Sequence, residues 1–293
     1  MKLLVLGGTK NLGRHVVEVA LADGHQVTLF NRRLTNPGLF PSVEKLVGKR
    51  SDPVALATGE WDAVIDMSGF LVHDLRRSIE VLSGRVGHYT FMSTIGVYAS
   101  RTTPGMTEDA ALQPWPSGAV EDEFSMDIYE VSKAKAEGLL AVAFGERMSA
   151  VRSGFVVGPY NPDFGNWGEA LATGKALECA ARPEQPIQYL DARDLAAFLV
   201  RLSVDGRGGA FNAVSESTTM SALAEAWRSV VPGSLPVDWD PSEDRFHLTH
   251  DGLFQLDNRK ALAAGLVVRP AEESARACVE WIRAGNTPPP PPH

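Results

Sequence analysis

The chain has 293 residues, 44% of them hydrophobic, with 28 Lys and Arg against 36 Asp and Glu, a formal net charge of −8. That length predicts one large α/β unit or two lobes with a sizeable core, and the acidic balance disfavours a general affinity for nucleic acid phosphates. Cys179 and Cys278 stand far apart in no ligand spacing, and no stretch nears the roughly 18 apolar residues of a membrane span, so the expectation is a cytoplasmic protein with a small-molecule partner, no nucleic acid, no membrane and no metal.

Strand-like KLLVLG opens the chain, and a helical pattern follows in which Leu12, Val16, Val19 and Ala20 share one face and Gly24 offers the stop. HQVTLF, VEKLVG, DAVIDM and HYTFMS read as four further strands, with helical signals between several of them. Such a βα rhythm with right-handed crossovers predicts a Rossmann-like, doubly wound parallel sheet. A helix is expected over about 127–145, SAVRSGFVVGP reads as strand six leading into a loop, and IQYLDARDLAAFLVRL as a later strand and helix. The predicted division is a dinucleotide-binding α/β domain over 1–155 to which the chain returns at about 187–214. A smaller C-terminal substrate lobe takes 156–186 and 215–285, and 286–293 forms a Pro-rich extended tail.

Between the first strand and helix, Gly7, Gly8, Thr9 and Gly13 can bring backbone N–H groups and a helix N-terminus to a pyrophosphate. Lys10 departs from a fuller glycine pattern, and a cation there can lie over phosphate oxygens. The second strand ends in Asn31, Arg32 and Arg33, where an NAD-selective site shows a carboxylate for the ribose 2′-hydroxyl. Arginines suit a 2′-phosphate, so NADP(H) is expected over NAD(H).

YEVSK sets Tyr129 and Lys133 one helical turn apart on one face, where an ammonium can lower a phenol's pKa from its reference near about 10. Ser93 and Thr94 end a strand of the same sheet at its carboxyl edge, where such folds hold their ligands. Asp191 and Asp194 in LDARDLA read as helix capping and lobe support, and His73, His88 and His247 as structural or exposed. Trp115, Phe155, Tyr160, Phe164 and Trp167 can line an apolar cleft or pack the small lobe.

The GGTKNLG turn, VIDMSGF, FMSTIGVYA, YEVSK, RSGFVVGPYNP and QYLDARDLA together resemble the extended short-chain dehydrogenase/reductase superfamily, in particular its NAD(P)-dependent epimerase/dehydratase-like branch. The resemblance implies that Thr94 orients the substrate oxygen, with Ser93 as a substitute at the substrate. It makes Tyr129 the acid/base and gives Lys133 the nicotinamide ribose and the lowering of the tyrosine pKa. Gly7, Thr9, Lys10, Asn11, Leu12 and Gly13 would face the pyrophosphate, Asn31 and Arg32 the adenosine ribose, and Met67, Ser68 and Gly69 the cofactor after strand four. Gly154, Phe155 and Val156 would approach the nicotinamide, and a homodimer is compatible with the dimers many relatives form. Nucleotide-sugar enzymes of this superfamily usually show an asparagine where Phe155 stands, and dehydratases an acidic pair where Ile95 and Gly96 follow Thr94.

The first expectation is therefore an NADPH-dependent reductase of a small apolar or aromatic ketone or aldehyde. The alternative is a nucleotide-sugar epimerase or dehydratase that returns its cofactor unchanged. A third reading, outside enzymology, is a non-catalytic dinucleotide sensor or RNA-binding relative, against which the intact Thr94, Tyr129 and Lys133 set and the negative charge both speak.

Overall fold

The computed structural model of the chain describes residues 1–162, 167–242 and 251–287. Strands β1 (Lys2–Leu6), β2 (Gln26–Asn31), β3 (Glu44–Val47), β4 (Trp61–Asp66), β5 (Val86–Thr94) and β6 (Met148–Ser153) form one sheet with the strand Gly209–Ala213. Its order is Gly209–Ala213, β6, β5, β4, β1, β2, β3, and all neighbours pair in parallel. The central strands are apolar on both sides because helices cover both faces, which is why KLLVL and DAVID read as unbroken runs with little alternation. Helices α1 (Asn11–Ala22) and α5 (Ala192–Asp205) cover one face, whereas α2 (Val72–Leu82) and α3 (Met126–Phe144) cover the other. On α1 the buried stripe is Leu12, Val16, Val17 and Ala20, with Val19 half-buried at its margin.

SAVRSGFVVGP, expected as a strand leading into a loop, is two strands. After β6 the chain breaks at Gly154, and β7 (Phe155–Gly158) leaves the main sheet to pair with Tyr189–Asp191. A Cβ on Gly154 would stand 3.0 Å from the Gln188 carbonyl, so the two segments meet there backbone to backbone. The seventh strand of the main sheet is supplied by Gly209–Ala213, after α5.

The remaining helices, α4 (Trp167–Thr173), α6 (Met220–Ser229), α7 (Arg259–Ala263) and α8 (Ala271–Arg283), follow in the C-terminal half. Trp167, Leu171, Leu223, Trp227, Ala275 and Val279 close a second core there. Asp191 caps α5 by accepting from Arg193 N at 2.8 Å, and it also accepts from Ser274 Oγ of α8 at 2.6 Å. Asp194 holds Arg269 Nε at 2.9 Å. The two aspartates thus cap a helix and fasten α5 to the segment that leads into α8, as their position at a helix start predicts. Among the described residues no helix is long and apolar enough to cross a membrane, and no group of three or more His, Cys, Asp or Glu is placed to hold a metal.

Candidate active site

The site is built at the carboxyl edge of the sheet. Gly7 and Gly8 take φ of +113° and +93°, and a Cβ on Gly8 would lie 2.6 Å from Leu29 Cδ2. A Cβ on Gly13 would lie 2.9 Å from Gly8 N, so α1 packs directly onto the turn. Side chains are excluded here by β2 and by the helix itself, which leaves a backbone-walled cradle. Helix α1 begins at Asn11, and its N-cap residue Lys10 makes no side-chain capping bond, so the first N–H groups remain available to an anion. Thr9 and Leu12 are buried behind this turn, while Lys10 and Asn11 lie half-exposed on it. Asn11 Oδ1 is buried and lacks a hydrogen-bond partner. This cradle fits a dinucleotide pyrophosphate: Gly7, Thr9, Lys10, Asn11 and Gly13 would hold it.

At the end of β2, Asn31 Oδ1 accepts from Arg33 N at 2.9 Å, and Arg32 and Arg33 are exposed. Asn36 Nδ2 donates to Thr9 O at 2.8 Å and ties this loop to the glycine turn. After β4, Met67 and Ser68 are half-buried beside Gly7, whose Cβ would meet Met67 Cβ at 3.3 Å. Beneath them Asp66, fully buried, accepts from Arg50 Nη1 at 2.5 Å, Tyr89 Oη at 2.7 Å and Ser68 N at 3.0 Å. These partners hold the carboxyl of Asp66 below its ordinary range against the opposing effect of burial. Arg50 Nε and Nη2 stay buried without partners.

At the end of β5, half-buried Thr94 accepts from Gly96 N at 3.2 Å, which leaves its hydroxyl proton free to donate. On α3, Lys133 is 2% exposed. Its Nζ donates to Met92 O at 2.8 Å and lies 4.6, 5.0 and 5.8 Å from the ring centres of Phe91, Phe70 and Tyr129. Burial brings its ammonium pKa down to about 8. The phenol of Tyr129 moves the other way from the expectation, up to about 12, because burial and, after it, the neighbouring Glu130 charge disfavour the phenolate. In the protein by itself, burial thus favours the protonated phenol at Tyr129.

Two residues beside Tyr129 escape the motif reading. Phe70 and Phe124 set their ring centres 6.3 and 6.4 Å from that of Tyr129, and both are more than two-fifths exposed. Phe70 lies inside the VIDMSGF motif and its place after β4 was a signal, whereas nothing in the sequence ties Phe124 or Arg50 to the site.

Other expected residues are not brought there. Ser93 is 2% exposed and donates to Glu137 Oε1 at 2.5 Å, within a buried network in which Arg152 clamps Glu137; its hydroxyl is committed away from a substrate. Trp167 is core, edge-on to Trp227 at 5.7 Å, because a ring this large closes the small-lobe interior. Tyr160 sits on α1, under the Arg14 guanidinium at 3.9 Å and near His15 and Trp281. Trp115 lies under Lys135 Nζ at 4.2 Å and donates to Ala119 O. Phe155 stacks on Phe254 at 5.6 Å, and Val156 joins the core with α1 and α5. Phe164 and His247 lie outside the described residues. The expected aromatic lining thus disperses over several elements, and Phe70 and Phe124 stand by Tyr129 instead. His88 is structural, its Nε2 2.6 Å from Ser149 Oγ.

No protein-family model matches the sequence. The chloroplast stem-loop binding protein of 41 kDa b from Arabidopsis thaliana is 24% identical over 276 residues, spanning 84% of this chain and 68% of that protein. Among solved structures, UDP-glucuronic acid 4-epimerase from Bacillus cereus in complex with NAD superposes with a TM-score of 0.76 at 16% identity, covering 97% of this chain and 99% of that one. UDP-glucose 4-epimerase from Thermotoga maritima with UDP-glucose gives 0.74 at 19% identity, over 97% and 99%. dTDP-glucose 4,6-dehydratase from Bacillus anthracis with NAD gives 0.74 at 15%, over 97% of both chains. In fold the chain is like these NAD-bound epimerases and dehydratases, and the motifs GGTKNLG, VIDMSGF, FMSTIGVYA and YEVSK lie at the carboxyl edge of its sheet.

Proposed function

We propose that the protein is a nicotinamide-dinucleotide enzyme that oxidises a secondary alcohol of a nucleotide sugar and returns the hydride within the same catalytic cycle, as an epimerase or dehydratase does. The observation that carries this reading is the pairing of Tyr129 and Lys133 on one face of α3, with Lys133 Nζ 5.8 Å from the tyrosine ring centre and 2.8 Å from Met92 O of β5, the strand that Thr94 ends. The likeness of the fold to NAD-bound epimerases and dehydratases supports it over the reductase reading, as does the dispersal of the aromatics that reading relied on. When bound, the nicotinamide supplies the hydride acceptor. Tyr129 gives or takes the alcohol proton, Thr94 orients the same oxygen, and Lys133 holds the ribose beside them. Asn31 and the exposed Arg32 and Arg33 at the end of β2 favour the 2′-phosphate of NADP.

A second reading rests on Phe70 and Phe124, whose exposed rings beside Tyr129 suit an apolar ketone or aldehyde and a net reductase. The deciding experiment is a thermal-shift screen of UDP-, dTDP- and GDP-sugars against aromatic carbonyl compounds, with NADPH absorbance followed in parallel. Conversion of a nucleotide sugar with no net cofactor loss supports the proposal, and stoichiometric NADPH consumption by a carbonyl compound transfers the case to the reductase. Retention of a structured RNA with neither reaction refutes both. Arg32→Asp is expected to cost NADPH at least tenfold in affinity relative to NADH, since a charged hydrogen bond to phosphate contributes roughly 1.5–3 kcal/mol. Equal affinity of the unmodified protein for both cofactors overturns that preference.

A further inference from the structure

A cavity of about 370 Å³ opens in the C-terminal half, and Thr94, Tyr129 and Lys133 contribute nothing to its lining. Much of its wall is apolar, with Leu223 and Ala226 of α6, Leu262 of α7 and Val268 ahead of α8. Ser215 and Asn258 also line it, but their polar atoms are spent within the chain. Ser215 Oγ accepts from Tyr189 N at 3.1 Å and donates to Glu216 O at 2.8 Å, and Asn258 Nδ2 donates to Val214 O at 2.9 Å.

Three polar groups at the cavity are not spent. Tyr189, on the strand that pairs with β7, lines the cavity at 7% exposure, and its hydroxyl has no hydrogen-bond partner among the described residues. A hydroxyl so buried and unpaired carries a free-energy cost that a bound partner returns. The carboxylates of Glu216 and Glu272, both exposed at the same cavity, have no cation among the described residues either. No lysine or arginine lines the cavity, and nearby arginines are taken: Arg193 by Asp191, Arg259 by Asp257 and Arg269 by Asp194. The acids around the cavity are thus matched, and the two that open onto it are not. Burial first, and then the Glu272 charge ahead of Asp191 and Asp194, pushes the Tyr189 phenol up to about 12, so its proton stays on and its oxygen can still accept.

This combination selects a ligand. Two unmatched carboxylates repel an anion and leave a neutral molecule without a charge to offer them, whereas an ammonium donates to both kinds of oxygen present. The apolar wall takes a hydrocarbon stem. The volume lies within the roughly 300–1,000 Å³ of small-molecule sites, enough for a whole compound. We propose that this cavity binds a small aliphatic amine, its ammonium held by Tyr189 Oη and the Glu272 and Glu216 carboxylates and its methylenes laid on Leu223, Ala226, Leu262 and Val268. The site is independent of the hydride chemistry and stands or falls without it.

Calorimetric titration of the full chain with 1,4-diaminobutane at low ionic strength tests the proposal, with butane-1,4-diol as the uncharged chain of the same length. Saturable binding with a Kd below about 1 mM is expected for the diamine, as suits so small a ligand. The diol is expected to bind at least about tenfold more weakly, for want of charged hydrogen bonds. Tyr189→Phe and Glu272→Gln remove no hydrogen bond or ion pair made among the described residues, so both variants fold, and each is expected to weaken the diamine by about fivefold or more. Glu80→Gln, an exposed acid on α2, leaves its affinity unchanged. Absence of saturable binding overturns the proposal, and so does equal affinity for diol and diamine. Binding indifferent to both Tyr189→Phe and Glu272→Gln, or weakened as much by Glu80→Gln, traces the affinity to net charge and also overturns it. Tighter binding of an acetyl-lysine amide peptide than of diaminobutane assigns the cavity to a protein partner's lysine and overturns the free amine.

Discussion

Replacing Lys133 by methionine is expected to stabilise the fold while removing activity. The Lys133 ammonium is 2% exposed, and its surroundings offer one carbonyl, Met92 O at 2.8 Å, and the faces of Phe91 and Phe70. Burial takes its pKa from 10.5 to about 8. At about 1.4 kcal/mol for each tenfold in proton affinity, that interval makes the charged form cost roughly 3 kcal/mol at neutral pH. Methionine keeps the length and apolar stem and loses the hydrogen bond to Met92 O, a loss of about 1 kcal/mol, so a net gain of about 2 kcal/mol is expected at pH 7. The sign follows from the order of the two pKa values. With the folded value below the unfolded one, the unfolded chain binds more protons between about pH 8 and 10.5, and wild-type stability rises through that window. Urea unfolding of both proteins at pH 7 and pH 10 therefore shows a gap in favour of Lys133→Met that shrinks at the higher pH. A variant less stable than wild type at pH 7, or a gap that does not change with pH, refutes the reasoning.

Gly8→Ala places a Cβ 2.6 Å from Leu29 Cδ2 and 3.0 Å from Val17 Cγ2 at a φ of +93°; a loss of about 1–3 kcal/mol and at least tenfold weaker dinucleotide binding are expected, and wild-type values of Tm and Kd contradict it. Arg50→Met leaves the fully buried Asp66 with Tyr89 and Ser68 alone and is expected to cost about 3–5 kcal/mol. Addition of Asp66→Asn then costs less than it does in the wild-type background, and additive losses in denaturant midpoints refute the coupling. Burial and the charge of Arg147 lower the pKa of His88 from 6.5 to about 4, so the unfolded chain binds more protons between those values and stability is lost as pH falls through them. His88→Gln is expected to flatten the acid limb of a Tm–pH curve, and an unchanged limb assigns the acid sensitivity elsewhere.

The centre of the main sheet was legible because β1 and β4 are short runs of buried aliphatics with a turn signal after each, as in KLLVLGG and DAVIDMSG, whereas the edge strand Gly209–Ala213 carries no such run. The break at Gly154 was not, since SAVRSGFVVGP is apolar on both sides of the glycine and periodicity cannot tell which sheet a strand joins. Tyr129, Lys133 and Thr94 were readable because helical spacing and a strand end fix their faces. Between a cleft lining and small-lobe packing the aromatics gave no choice in sequence: loops and short helices carry Trp115 onto α3, Tyr160 onto α1 and Trp167 into the second core. The packing of the Glu130 side chain against Gly96, 34 residues earlier, is a long-range pairing that no spacing reveals.

The buried charges below this edge explain why Lys133 is poised as it is. Asp66 is taken by Arg50 and Tyr89, and Glu137 is taken by Arg152 and Ser93. Each carboxylate in the interior therefore has a guanidinium of its own, which meets the condition under which buried charge is tolerated. Asp66 and Glu137 favour the lysine's charged form at a distance, but Arg50 opposes it, and neither carboxylate reaches Nζ to pair with it. The lysine is thus the odd cation of a region whose other ions are matched. Its desolvation is unpaid within the protein, and a ligand that brings hydroxyl oxygens to Nζ recovers part of that cost on binding. The same imbalance that weakens the free fold would strengthen a bound one, so a ligand at this edge gains from the instability that Lys133 carries.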